Sequence, residues 1–143
     1  MIHIRDATEK DLAFITSTWM QSYYPQCGLG FDDYKHFQNK LVKGLLSRSY
    51  NLVACDDSDH NLIFGWVSYD EYLNDPVVHY IYVKALYRRM GISKQLMAEV
   101  MGNDKDYYYY THKPEKPSIL KALTFASGEY CEHLRYKEFY EEA

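Results

Sequence analysis

Arg88-Arg89-Met90-Gly91-Ile92-Ser93-Lys94 brings two guanidinium groups, a glycine and a small hydroxyl residue together in one short stretch. An apolar run over 77–83 precedes it, and Ile92, Leu96, Met97, Val100 and Met101 follow at helical spacing. The stretch is therefore a turn that carries a buried strand into an amphipathic helix. The start of a helix presents unpaired backbone N–H groups and the positive end of the helix dipole. With forked arginine donors beside it, such a turn is a cradle for an anion, and a diphosphate fits it. Neither G-x-x-x-x-G-K-[ST] nor G-x-G-x-x-G occurs, so a phosphate-bearing ligand other than those of the usual nucleotide loops is indicated.

Acid–base groups lie just upstream of that turn. His79 is on the apolar strand, and an imidazole titrates near neutrality, as a general base should. The two-residue period of a strand puts its side chain on one face with Ile81 and Val83. Asp70 and Glu71, at the end of the preceding strand, are rival bases or an attraction for a cationic substrate. Cys131-Glu132-His133 is too small a ligand set for zinc, so no metal is expected.

These groups need a scaffold, and the pattern supplies one. Residues 2–5 alternate as a short strand, and Thr8-x-x-Asp11 resembles a capping box opening a helix whose buried stripe is Leu12, Ile15 and Trp19. The breaker stretch over 24–30 separates it from a second helix with Tyr34, Phe37, Gln38, Leu41 and Leu45 on one side. Residues 50–56 and 62–69 form a hairpin across Asp57-Ser58-Asp59-His60-Asn61. The Asn74-Asp75-Pro76 turn leads to the strand over 77–83, and Gly102-Asn103 stops the helix after it. A fifth strand is expected over 106–111, a short helix over 118–126, and a last strand pair or one long bent strand over 129–140. The order is β-α-α-β-β-β-α-β-α-β, an α/β (α+β) pattern.

Length and composition bound the functions available. The chain has 143 residues, enough for one domain with a core, and no linker or repeat divides it, so one domain over 1–143 is expected. About a quarter of the residues are charged and no stretch approaches the roughly 18 apolar residues of a membrane span. No secretory signal opens the sequence, which points to the cytoplasm. Cys27, Cys55 and Cys131 are odd in number and widely spaced, which suits reduced thiols. A net charge of −4 argues against nucleic acid as a partner. The 16 tyrosines, with a run at Tyr107, Tyr108, Tyr109 and Tyr110, read as strand filler on half-buried faces.

The segment from Val83 to Leu96, with Arg88, Gly91 and Ser93 at three fixed positions, resembles the acetyl-CoA motif R/Q-x-x-G-x-G/A of the GNAT N-acetyltransferase superfamily. Ser93 stands where that motif has glycine or alanine, and Arg89 replaces a common glycine. The resemblance implies a mixed central sheet whose fourth and fifth strands splay apart. Backbone N–H groups of Arg89, Met90, Gly91, Ile92, Ser93 and Lys94, beside Arg88, would hold the pyrophosphate of acetyl-CoA. The backbones of Ile81, Tyr82 and Val83 would pair with its pantetheine arm. It implies transfer of an acetyl group to a primary amine of a small molecule or a protein, with His79 or Glu71 as base. The family's acidic tyrosine corresponds to Thr124, which leaves Tyr130 as a substitute acid, and Thr111-His112-Lys113 replaces a common asparagine. Trp19, Tyr23, Tyr24, Tyr34 and Tyr72 would wall the acceptor site. Room remains for a homodimer. The runner-up reading is a catalytically degenerate GNAT-fold protein serving as a binding or structural component, for example in a virion.

Overall fold

A computed structural model of the chain describes residues 1–113, 126–136 and 140. Strand β1 (Ile2–Asp6) is followed by a single 3-10 turn and helix α1 (Leu12–Cys27), then α2 (Phe31–Arg48). Strands β2 (Tyr50–Asp56), β3 (Ile63–Tyr72) and β4 (Asp75–Val83) come next, then α3 (Ile92–Met101), β5 (Tyr107–Tyr110) and β6 (Ser127–Tyr130). They form one sheet in the order β1-β2-β3-β4-β5-β6, antiparallel up to β4, with β5 parallel to β4 and β6 parallel to β5. The expected mixed sheet is thus observed, and the element order agrees through β5 and again at β6.

Helices cover both faces. Ile92, Leu96, Met97, Val100 and Met101 of α3 pack with Ala54, Val67, Val78, Ile81 and Val83. On the other face α1 and α2 pack Ile15, Trp19, Tyr23, Tyr34, Val42 and Leu45 against Val53, Trp66 and Tyr80. Trp19 stacks on Tyr80 at 5.4 Å between centroids, and the Trp66 indole N–H donates to Thr18 Oγ1 at 2.9 Å. Burying these rings is the main favourable term holding the helices to the sheet; the polar tips of Trp66 and Tyr80 are paired, whereas the Trp19 indole N–H is buried without a hydrogen-bond partner among the described residues.

The start of α1 is built as the sequence suggests: the Thr8 N–H donates to Asp11 Oδ2 at 2.7 Å, and Arg5 Nη1 reaches the same oxygen at 2.7 Å. The guanidinium holds the Asp11 carboxyl below its ordinary range. Pro25 does not end α1, which runs on to Cys27 and stops at Gly28, φ 76°. A proline this near the end removes one ladder hydrogen bond without interrupting the helix body.

Several expectations are corrected. The turn before β4 is Leu73-Asn74, with φ 52° and 68°, so Asp75 and Pro76 already lie in the strand. Two positive-φ residues form the turn whose twist matches that of the flanking strands. Phe37, expected on the buried side of α2, is 61% exposed. Of the last strand pair or long bent strand expected over 129–140, the described residues show β6, which begins at Ser127, and a 3-10 turn over Glu132–Arg135. Gly128 permits that short strand, because a Cβ there would lie 2.5 Å from Cζ of Tyr108. The helix expected over 118–126, up to residue 125, and Thr124 with it, lies outside the described residues. Among the described residues no helix is long and apolar enough to cross a membrane.

Candidate active site

The Arg88 turn is built from unusual backbone. Arg89 has φ 69° and Gly91 φ 79°, both left-handed, and Gly91 is the N-cap of α3. Glycine adopts this region freely, and a side chain there costs roughly 1–2 kcal/mol, which explains why Arg89 stands at a position suited to glycine. A Cβ on Gly91 would meet nothing within 4 Å, so the space over the helix N-terminus is open to a ligand. Arg88 Nε donates to the Val83 carbonyl at 3.1 Å and ties the turn to the strand end. The backbone N–H groups of the first turn of α3 thus face open space with positive charge beside them.

Ahead of this turn the sheet opens. Strand β4 pairs with β5 only through Val77 and Val78, and the Thr111 N–H donating to the Val78 carbonyl at 3.1 Å is the last rung. Residues 79–83 have no strand partner on that edge among the described residues. This is the expected parting of the fourth and fifth strands. It leaves the edge of β4 at Ile81 and Val83 turned toward the opening, where an extended ligand can pair with the backbone.

At the fork the pairing of β3 with β4 slips: Ser68 faces Tyr80 while Tyr69 faces Val78, leaving His79 as an extra residue. Such a bulge re-aims side chains. Val78, Ile81 and Val83 join the α3 face, whereas Tyr80 packs with α1 and α2. The His79 side chain leaves the face of Ile81 and Val83, contrary to the two-residue period, and meets Asp70 and Thr111 instead.

A buried polar chain results. His79 Nε2 lies 3.3 Å from Asp70 Oδ2, and its Nδ1 lies 3.0 Å from Thr111 Oγ1. Thr111 Oγ1 is also 3.0 Å from His112 Nδ1, and His112 Nε2 is 2.9 Å from the side-chain nitrogen of Gln38. His79 and Thr111 are fully buried and His112 nearly so. Desolvation lowers the pKa of His79 against the opposing pull of Asp70, and lowers that of His112 well below the ordinary value, helped by Arg135. Arg135 closes the assembly, donating from Nε to the Thr111 carbonyl and from Nη2 to the Tyr23 hydroxyl, both at 2.8 Å.

Other expected site residues lie elsewhere. Glu71 is exposed, and it is Asp70 that meets His79. Tyr130 sits on β6 against Tyr110, 38% exposed, with Lys113 Nζ 5.1 Å above its ring and its pKa raised by desolvation. No described contact joins it to His79. Trp19, Tyr23 and Tyr34 are core residues rather than walls of an acceptor cage, while Tyr24 is exposed and Tyr72 half-buried. Thr111, His112 and Gln38 were not singled out as chemistry by sequence reasoning. The one available signal was a hydroxyl and an imidazole ending a strand of tyrosines. His3, Asp57 and His60 bring ligand atoms within 4.8 Å of one another at the β2–β3 turn. The two imidazoles stack with planes 8° apart, so their in-plane lone pairs do not converge on one ion as they stand.

Comparison with known proteins places this geometry. The model of the acetyltransferase (GNAT) family matches residues 12–119. No curated protein sequence matches the chain. Among solved structures, a Pyrococcus furiosus protein assigned as an acetyl transferase is 17% identical, with TM-score 0.61 over 85% of this chain and 89% of that one. AAC(6')-Iy, in complex with the bisubstrate analogue CoA-S-monomethyl-acetylneamine, is 18% identical, with TM-score 0.57 over 89% of this chain and 92% of that one. A GNAT family acetyltransferase from Brucella melitensis, in complex with acetyl-CoA, is 18% identical, with TM-score 0.51 over 69% of this chain and 65% of that one. With the family model spanning most of its length, from α1 through the Gly91 turn and β5, the chain belongs to the GNAT acetyltransferase family.

Proposed function

We propose that the protein moves an acetyl group from acetyl-CoA to a primary amine of a small molecule or a protein. The observation that carries this reading is the parting of β4 from β5 directly ahead of an open, left-handed Gly91 turn. Proteins of the same fold hold acetyl-CoA or a CoA-containing bisubstrate analogue, which supports it.

The residues fit such a ligand. N–H groups from Arg89 to Lys94 hold the pyrophosphate with the charge of Arg88 and Arg89 beside it, and the backbone over residues 81–83, beyond the last β5 pairing, meets the pantetheine amides. When bound, the thioester supplies an activated acyl group. The chain supplies orientation and a proton acceptor, for which His79 stands at the fork. Its lowered pKa keeps the imidazole neutral at physiological pH, the state a base requires.

Calorimetric titration with acetyl-CoA, followed by CoA release with spermidine, an amino-terminal peptide and a lysine peptide, tests the reading. Binding with release for at least one acceptor is expected. No binding of acetyl-CoA would reject the enzyme reading.

A further inference from the structure

The buried chain at the fork has a direction that its contacts determine. The amide nitrogen of Gln38 can only donate, so His112 Nε2 accepts, and the neutral ring carries its proton on Nδ1. That N–H donates to Thr111 Oγ1. The Thr111 hydroxyl then has its own proton left for His79 Nδ1. His79 carries its proton on Nε2 and donates to Asp70 Oδ2. Turning the Gln38 amide over would reverse every bond and set the lone pair of His79 Nε2 against the Asp70 carboxylate. The carboxylate at one end therefore fixes the amide at the other.

Resting on the acetyl-transfer reading above, we propose that Thr111, His79 and Asp70 form a hydroxyl–imidazole–carboxylate relay serving transfer as base and then as acid. His112 and Gln38 are its positioning residues. Thr111 provides the last backbone rung before the strands part, which places the residue at the fork with its side chain buried between the two imidazoles. The amine N–H bond breaks, and an O–H bond forms at Thr111, directly or through one water. The proton formerly on Thr111 passes to His79 Nδ1, and the imidazolium is held by the charge of Asp70. As the C–N bond forms and the C–S bond breaks, a proton returns by the same path to the thiolate sulfur. All three residues then end as they began. The relay also accounts for an active chain with threonine at position 124, because the acid that a tyrosine would supply is the protonated His79.

Charges facing the two imidazoles are Asp70 from β3, Arg48 from α2 and Arg135 after β6, with the Tyr23 hydroxyl from α1 bonded to Arg135. Of these only Asp70 stabilises an imidazolium. Asp70→Asn should therefore move the acid limb of the rate profile to lower pH and lower the plateau about tenfold or more. Thr111→Val, which keeps the shape and removes the hydroxyl, should cut kcat at least about tenfold at unchanged acetyl-CoA affinity, with Thr111→Ser restoring it to within about threefold. A merely structural threonine would give the opposite ranking, since valine keeps the methyl that serine lacks. Nitrogen-15 NMR of the imidazoles should show His79 protonated on Nε2 and His112 on Nδ1. Full activity of Thr111→Val, an unmoved pH limb in Asp70→Asn, or a proton on His79 Nδ1 at rest would each overturn the relay. Loss of the acetyl-CoA reading would show instead as absence of binding to the wild-type protein, with the tautomers still deciding whether the chain runs as stated.

Discussion

The turn at Gly91 and the buried chain at His79 are neighbours along one strand but are built on different principles. The turn is contiguous in sequence, exposed, and made of backbone: two left-handed residues and the N–H groups of a helix start. The chain takes one side chain from α2, one from β3, one from the bulge in β4 and two from the residues just after β5, all buried except Asp70, which is partly exposed. An exposed backbone site tolerates side-chain variety and responds to charge and shape at its surface. A buried side-chain site stands or falls with each member, because an unpaired polar group in the interior costs about 1–3 kcal/mol.

The largest separation between the two should come from His79→Ala. Removing the imidazole takes away the proposed base and leaves the hydroxyl of Thr111 and the Asp70 carboxylate without their common partner. Turnover should fall about a hundredfold or more, roughly 2.7 kcal/mol, while acetyl-CoA binds almost as before. Steady-state kinetics paired with calorimetry check this. A parallel loss of affinity would mean that the bulge, not the imidazole, was the feature that mattered.

Acid should separate them next. His79 and His112 are held neutral by burial, so their folded pKa values lie below the unfolded value near 6.5. Below that value the unfolded chain binds protons that the folded chain refuses, and stability is lost as pH falls from 6.5 toward the folded pKa values. The slope is at most about 1.4 kcal/mol per pH unit for each histidine. Thermal unfolding between pH 7.5 and 5 should show a falling Tm, with the fall reduced in His112→Gln. A Tm independent of pH over that range would mean that the fold depresses the pKa of neither ring.

This contrast also explains what could be read in advance. Arg88, Gly91 and Ser93 announce a strand–turn–helix connection because local chemistry alone makes one, and the burial stripe of α3 appears residue for residue. The parting of β4 from β5 followed from the family resemblance. The bulge at His79 was not legible: an extra residue in one strand becomes visible only when its partner is known, and it overrides the alternation that had put His79 with Ile81 and Val83. Gln38 and His112 are 74 positions apart, and nothing local marks either as polar partners in a core. The aromatic residues misled for a related reason: Trp19, Tyr23 and Tyr34 look alike as cage or as core until Tyr80 is seen stacked beneath Trp19.

At the turn, Gly91→Glu is the sharper probe. A Cβ at this position meets nothing within 4 Å, so the protein should fold with a strain of roughly 1–2 kcal/mol from the left-handed backbone. Its carboxylate enters the space over the N-terminus of α3. Acetyl-CoA affinity should drop at least about tenfold, or roughly 1.4 kcal/mol, by calorimetry. Unchanged affinity in a folded variant would remove the pyrophosphate from this turn.

The smallest expected effect sharpens the comparison without any mutation. Arg89 and Lys94 are exposed at the turn, and attraction between such groups and a phosphate is screened as the Debye length shortens to about 8 Å at 0.15 M salt. The pair between His79 and Asp70 lies inside, with Asp70 18% exposed and His79 fully buried. Raising the ionic strength from about 0.05 to 0.15 M should weaken acetyl-CoA binding about twofold and leave kcat at saturating substrate unchanged. If kcat fell in step with affinity, ions would be reaching the relay and the fork would be open to bulk water. If neither moved, phosphate recognition would rest on the helix N–H groups alone, and the arginines of the turn would serve its folding, as Arg88 does in holding the Val83 carbonyl.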